Sequence, residues 1–246
     1  MQADPGAQRL LLDVAAIETE ISQLNHRKRT LPEHEQLATL NEQRKAAGEL
    51  IVASQTRLAD INLELARVES DLEPARERLE RNRKRSSDGS VNEPKALRVL
   101  LDEIEHLTSR ISNLEDEQLE IMQAVEDETN EQETLVAAKT RIEDRMRALM
   151  AKRDEQGREI DAKLADLDND RAGLAAKVPS DLLNLYAKVA QRQGTGAALL
   201  QAGRCGGCTL AVDAASLTKF AAAAPEEVLR CEECGRILVR TEKSGL

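Results

Sequence analysis

Four cysteines are the residues best placed to do chemistry in this chain, and all four lie between positions 205 and 234. Cys205-Gly-Gly-Cys208 and Cys231-Glu-Glu-Cys234 form two C-x-x-C pairs with 22 residues between them, slightly beyond the usual zinc-ribbon window but with both pairs intact. Two residues between thiolates let one tight turn present both sulfurs to the same face of a tetrahedral ion, and two such turns complete four ligands. The surrounding segment of about 40 residues has a single aromatic side chain, Phe220, and is too small to fold on its own core, so a bound metal would supply the folding free energy. A four-thiolate site has no open position for water, which makes one structural Zn2+ the expected cofactor and hydrolysis an unexpected activity. Two local disulfides and a redox C-x-x-C are the weaker alternatives, the first because clustered thiols in a reducing compartment favour metal, the second because no βαβ context surrounds them. Iron in the same tetrahedral cage remains open, since the ligand set alone does not choose between the metals.

What positions these cysteines is a chain of 246 residues with one Tyr, one Phe and no Trp. Charged residues make up 33%, with only 12 Gly and 6 Pro, the composition of long helices rather than of a β-sandwich or a doubly wound α/β enzyme. Leu10, Val14, Ile17, Ile21, Leu24, Lys28 and Leu31 step by four and three, as a coiled-coil seam does. Pro32 breaks that helix. Leu37, Leu40, Arg44, Ala47, Ile51, Ser54, Leu58, Ile61, Leu65, Val68, Leu72, Ala75 and Leu79 then hold the seam for six heptads.

The pattern fails at the small, turn-forming residues of a hairpin tip at about 86–92, and a second arm of about 85 residues resumes it from Leu97 through Ile104, Ile111 and Ile121 to Val178. At about 1.5 Å per residue each arm would span about 120 Å. Centring the tip near Gly89 sets Pro74 opposite Ile104, where the second arm's phase slips, so a shared irregularity is expected there; the alternative is that Pro74 begins a fresh helix. The fold class is therefore mainly α: an antiparallel coiled-coil hairpin over residues 1–178, then a linker helix and a small β-rich C4 ribbon over 179–246. Strands are expected at 197–202, 210–212, 228–230 and 237–240, and Tyr186 and Phe220 are expected in small cores.

The hairpin, the short helix after it, the run Gly-Arg-Cys205-Gly-Gly-Cys208 and the ending Cys231-Glu-Glu-Cys234-Gly235-Arg236-Ile237-Leu238 resemble the bacterial C4-type zinc-ribbon proteins. The resemblance covers the whole chain, and C-x-x-C-G-R-I-L is its most specific part. It implies zinc ligation by Cys205, Cys208, Cys231 and Cys234 and a nucleic-acid-linked class, some members being connected to RNA, an alternative sigma factor, or flagellar and secretion components. It implies that class and no particular partner, and no family-wide catalytic residue transfers.

Net charge is −10, so a nucleic-acid or anionic membrane contact must be local. Residues 76–85 carry six basic side chains, making the tip with Arg81, Arg83, Lys84 and Arg85 a positive spot; the alternative is a solvated coil end whose arginines pair with Glu77, Glu80 and Glu93. Arg204, Lys219, Arg230, Arg236 and Arg240 cluster around the cysteine pairs and form a second candidate surface. Residues 115–133 hold nine acids and no Lys or Arg, and Gln118, Glu128 and Gln132 soften the seam there. With aromatics so scarce, base stacking is nearly absent and phosphate or protein contact is the better expectation.

No phosphate loop, nucleophile elbow or carboxylate pair appears, and the chain reads as cytoplasmic, with no membrane span and no small-molecule substrate. The leading expectation is a non-enzymatic adaptor in which the hairpin sets distance and the ribbon is a binding head, with nucleic acid a candidate ligand and a protein partner expected. The alternative is a chaperone or scaffold for a transcription, secretion or motility component that binds no nucleic acid. A redox or metal-sensing switch through the thiolates ranks last. The oligomeric state, monomer or coiled-coil dimer, stays open because a seam satisfied within one hairpin can also be satisfied between chains.

Overall fold

Proline and glycine punctuate a chain that is otherwise built of strong helix formers, and the helices break where those residues stand. The computed structural model describes all 246 residues. Its elements are α1 (Pro5–Arg29), α2 (Pro32–Ser87), α3 (Pro94–Ala175), α4 (Ser180–Gln193), β1 (Ala197–Gln201), β2 (Arg204–Cys205), α5 (Ala214–Ala222), β3 (Leu229–Arg230) and β4 (Ile237–Val239). They form two compact units, one of Met1–His34 with Met150–Leu246, the other of Glu35–Leu149.

The unit of Glu35–Leu149 is the antiparallel hairpin of α2 and α3 around its turn. Its seam near the tip is apolar: Leu72, Ala75 and Leu79 of α2 bury against Ile111, with Ile104, Leu107 and Leu114 beside them. Further from the tip the seam mixes buried apolar residues, Val68, Leu40 and Leu37, with polar ones, some of which pair across the helices. Arg57 makes a two-pronged contact with Glu128 at 2.8 and 2.9 Å and holds that carboxyl below its ordinary range, while Gln118 donates to Glu69 at 3.2 Å. Pro74 lies inside α2, which runs on without interruption, so no fresh helix begins there. It faces a shallow hollow with Leu107 and Arg110, and Asp71 reaches Arg110 at 4.0 Å, so its neighbours lie further from the tip than Ile104. The reason is the turn, which occupies the residues between Ser87 and Pro94 and is centred beyond Gly89.

The other unit contains the ribbon. Its sheet runs in the order β2-β1-β4-β3, with β1 and β4 parallel and the outer pairs antiparallel. The expected strand at 210–212 reduces to a single bridge between Arg204 and Ala211, because Asp213 accepts from the Ser216 N–H and starts α5 in the space a longer strand would need. One face of the sheet carries Ala197, Ile237 and Val239, which share a core with Leu11 and Val14 of α1 and with Leu182 and Tyr186 of α4. The N-terminus is stitched to the ribbon by main-chain bonds: Ala3 N–H to Glu226 O at 2.7 Å and Val228 N–H to Met1 O at 3.0 Å. Tyr186 is buried, and its hydroxyl donates to Glu18 of α1, which also pairs with Arg171 of α3 at 2.7 Å. At the Pro32 break Glu33 is buried and takes a hydrogen bond from Lys152 at 2.9 Å, which lowers its pKa.

Candidate metal centre and binding surfaces

The two C-x-x-C turns have the same backbone construction. In the first, Cys205 ends β2 and its carbonyl accepts from the Thr209 N–H at 2.8 Å; in the second, Cys231 follows β3 and its carbonyl accepts from the Gly235 N–H at 2.9 Å. Each turn closes on a left-handed residue, Thr209 at φ 65° and Gly235 at φ 71°. Glycine takes that conformation freely, whereas a β-branched residue there is rare.

The turns face each other so that all four Sγ atoms lie within 4.8 Å of one another, with Cys205 to Cys234 and Cys208 to Cys231 both at 3.8 Å. Sulfurs at the corners of a tetrahedron with Zn–S of about 2.3 Å are about 3.8 Å apart, so the cage has the dimensions of a four-thiolate zinc site. The cross-turn separations are nearly twice the roughly 2.05 Å of a disulfide. Cys205 and Cys231 are buried against Ala198, Leu200, Leu229 and Leu238, with Phe220 and Val212 packed alongside. Burial pushes the thiols of Cys205 and Cys231 up; at Cys234 burial also raises the pKa, but hydrogen bonds from the N–H and side chain of Arg236 outweigh it and the net shift is downward. The donor set therefore suits one structural Zn2+ held by Cys205, Cys208, Cys231 and Cys234.

The ribbon's basic residues divide into two groups. Arg236 and Arg240, both expected on a binding surface, are instead committed to the fold. The Arg240 guanidinium donates to the carbonyls of Ala223, Ala224, Pro225 and Glu227 at 2.6 to 2.9 Å, pinning the turn between α5 and β3. Arg236 is buried and bonds to Gln193 and Thr195. Because charged hydrogen bonds contribute about 1.5–3 kcal/mol each, Arg240→Ala should lower the unfolding free energy of the zinc-loaded protein by at least about 2 kcal/mol in a denaturant titration, leaving zinc content unchanged. Arg204, Lys219 and Arg230 are exposed and make no ion pair.

Sequence reasoning missed Lys188 and Arg192, which with Arg230 and Glu233 line a groove of about 500 Å³ between α4 and the second cysteine turn. Their spacing of four along a short amphipathic helix was the available signal. In the hairpin unit, Arg76 and Arg78 pair with Glu115 and Glu103, and Arg81 pairs with Glu77, while Arg83, Lys84 and Arg85 are exposed and make no ion pair. No helix is long and apolar enough to cross a membrane.

Known proteins match this architecture along its length. Residues 14–194 match the model of the CT398-like coiled coil hairpin domain, and residues 204–238 match the C4-type zinc ribbon domain. An uncharacterized protein of Mycobacterium tuberculosis is 31% identical over 246 residues, 98% of each chain, and one of Mycobacterium leprae is 26% identical over 231 residues, 91% of this chain and 96% of that one. A solved structure from Mycobacterium smegmatis superposes with a TM-score of 0.85 at 29% identity, covering 98% of this chain and 100% of its own. CT398 from Chlamydia trachomatis shares the fold at a TM-score of 0.65 and 14% identity, over 95% of this chain and 97% of its own.

Proposed function

Because the chain belongs to the CT398-like coiled-coil hairpin family with a C-terminal C4-type zinc ribbon, we propose that it is a non-enzymatic cytoplasmic adaptor that contacts nucleic-acid phosphates. The hairpin is the spacer and the zinc ribbon a binding head. The observation that carries this reading is the set of exposed cations without acidic partners. Arg83, Lys84 and Arg85 stand at the end of α2 in a chain of net charge −10, and Arg204, Lys219 and Arg230 stand on the ribbon. Arg81 joins the tip group once phosphate competes with its exposed pairing to Glu77, since such pairs contribute little. Cations left unpaired on an acidic protein suit a polyanion, and each phosphate contact releases a counterion. The tip has no aromatic side chain, and Phe220 beside Lys219 on the ribbon is half-buried against the cysteine core, which favours phosphate contact over base reading.

Fluorescence anisotropy of zinc-loaded protein with short RNA and duplex DNA tests this. At low salt the variant R81E/R83E/K84E/R85E should bind at least tenfold more weakly if the tip is the surface, and R204A/K219A/R230A if the ribbon is. Binding unchanged in both variants would remove both surfaces.

A second reading is favoured by a different observation. Of the nine acids in residues 115–133 only Glu115 and Glu128 are ion-paired, and Leu119 and Met122 in the same stretch are exposed. An acidic face with apolar side chains suits a basic protein segment, so a scaffold for a protein partner is the alternative. Loss of protein capture in L119A/M122A, with nucleic-acid binding absent, would promote it.

A further inference from the structure

Arg236 sits where the two cysteine turns and the end of α4 come together. Its own backbone closes the second cysteine turn, because the Cys231 N–H donates to the Arg236 carbonyl at 2.9 Å. Its side chain runs over the first turn so closely that a Cβ on Gly207 would stand 2.5 Å from its Cδ and 2.9 Å from its Nε. Its guanidinium then reaches the end of α4, where Nη2 donates to the Gln193 carbonyl at 2.5 Å and Nε to the carbonyl and Oγ1 of Thr195 at 3.2 Å. At 9% exposure it is the most buried cation in the chain, whereas the other ribbon cations face solvent or the α5–β3 turn.

A divalent zinc held by four thiolates leaves a site with two net negative charges, and partial burial makes that charge costly unless a cation lies beside it. Residues outside the ligand set that orient and charge-balance a metal site commonly change its affinity by 10- to 100-fold. Arg236 meets both requirements, with a fixed positive charge laid over the first cysteine turn, its Nη1 3.0 Å from where a Cβ on Gly207 would stand, and a fork held by three acceptors on the α4–β1 connection.

We propose that Arg236 is the positioning residue that couples the metal site to α4. It charge-balances the zinc-thiolate centre and, through Gln193 and Thr195, ties its geometry to the seating of the helix that leads into the ribbon. The coupling is reciprocal as long as the Arg236 fork is intact, so a change elsewhere that loosens the end of α4 weakens zinc retention by the same factor, and loss of zinc loosens the end of α4; a variant that cuts the fork but keeps the charge uncouples the two.

The test uses the full chain loaded with zinc, and in parallel with cobalt, whose absorption bands report whether four thiolates still bind. Zinc transfer to a chromophoric chelator and amide exchange at residues 191–197 are read in the parent, R236K and R236M. R236M is expected to lose zinc affinity by at least tenfold and to exchange faster at 191–197 while keeping a four-thiolate cobalt spectrum. R236K retains the charge but not the planar fork, so its zinc affinity should recover to within a few-fold of the parent while exchange at 191–197 stays fast. Should R236M not fold, R236K alone decides: parent-like exchange at 191–197 overturns the coupling. Zinc transfer at the parent rate in R236M overturns the proposal outright.

Discussion

Removing zinc should unfold the ribbon and leave the hairpin of Glu35–Leu149 helical. The ribbon's sheet consists of strands of two to five residues, and its second core is assembled around Cys205 and Cys231 themselves, with Ala198, Leu200, Leu229 and Leu238 as its other buried members. Such a core cannot offset the chain entropy of the loops it closes. Structural zinc binds with an apparent free energy of about 10–16 kcal/mol, as large as the whole stability of an ordinary domain of about 5–15 kcal/mol. Chelation, or Cys231→Ser, is therefore expected to abolish amide protection over β1 to β4. The hairpin carries most of the helix in the chain and owes nothing to the metal, so far-UV circular dichroism should fall only slightly. The pH dependence has the same origin. A thiol of the unfolded, metal-free ribbon titrates at about 8.5, and burial in the fold pushes Cys205 and Cys231 higher still, so both are protonated at neutral pH without metal and each proton must leave before zinc binds. Zinc affinity thus falls as pH falls, and acid should mimic chelation. Ribbon amides that stay protected in metal-free protein would contradict this account.

The second large effect is expected at Gly196→Ala. A Cβ at Gly196 would lie 2.2 Å from the Tyr186 carbonyl oxygen and 2.6 and 2.7 Å from its ring. None of these atoms can yield. The ring is buried between α1 and the sheet, its hydroxyl is held by Glu18, and the Gly196 carbonyl is fixed by the Ile237 N–H at 2.9 Å. The substitution must push α4 off β1, at a cost of about 3 kcal/mol, the upper end of overpacking penalties. Gly194→Ala is the control, because that residue has φ 81° but open space around it, and only backbone strain of about 1–2 kcal/mol applies. Urea midpoints of the two zinc-loaded variants compare them directly, and equal losses would show that the close packing of Tyr186 on Gly196 is unimportant.

Period and punctuation made the helices readable. Helix α2 begins at Pro32 and ends at Ser87, within the run of small residues expected to turn, and the four sulfurs of the two C-x-x-C pairs meet. Helical and strand periods are local properties, and so is the geometry of a cysteine turn. What stayed hidden depends on partners distant in the chain. Leu10 and Val14 look like further heptad positions, yet it is Leu11, with Val14, that is buried in the core formed with α4 and the apolar face of the ribbon sheet. Arg236 and Arg240 look like a positive rim, and only the carbonyls of Gln193, Ala223 and Ala224 reveal that their charges are used internally. Helix α5 was missed because its small apolar residues read equally well as loop or strand; its start is set by the Asp213 cap, a signal present in the sequence.

The most direct test of the adaptor reading is the salt dependence of RNA binding by the zinc-loaded chain. Three or four phosphate contacts predict a slope of about −2 to −3 in log affinity against log salt for a single strand, reduced by about two units or more when Arg83, Lys84 and Arg85 are reversed if the tip is the surface. A slope near zero, or no binding at low salt, would contradict a phosphate-binding role and leave the protein scaffold as the function to pursue.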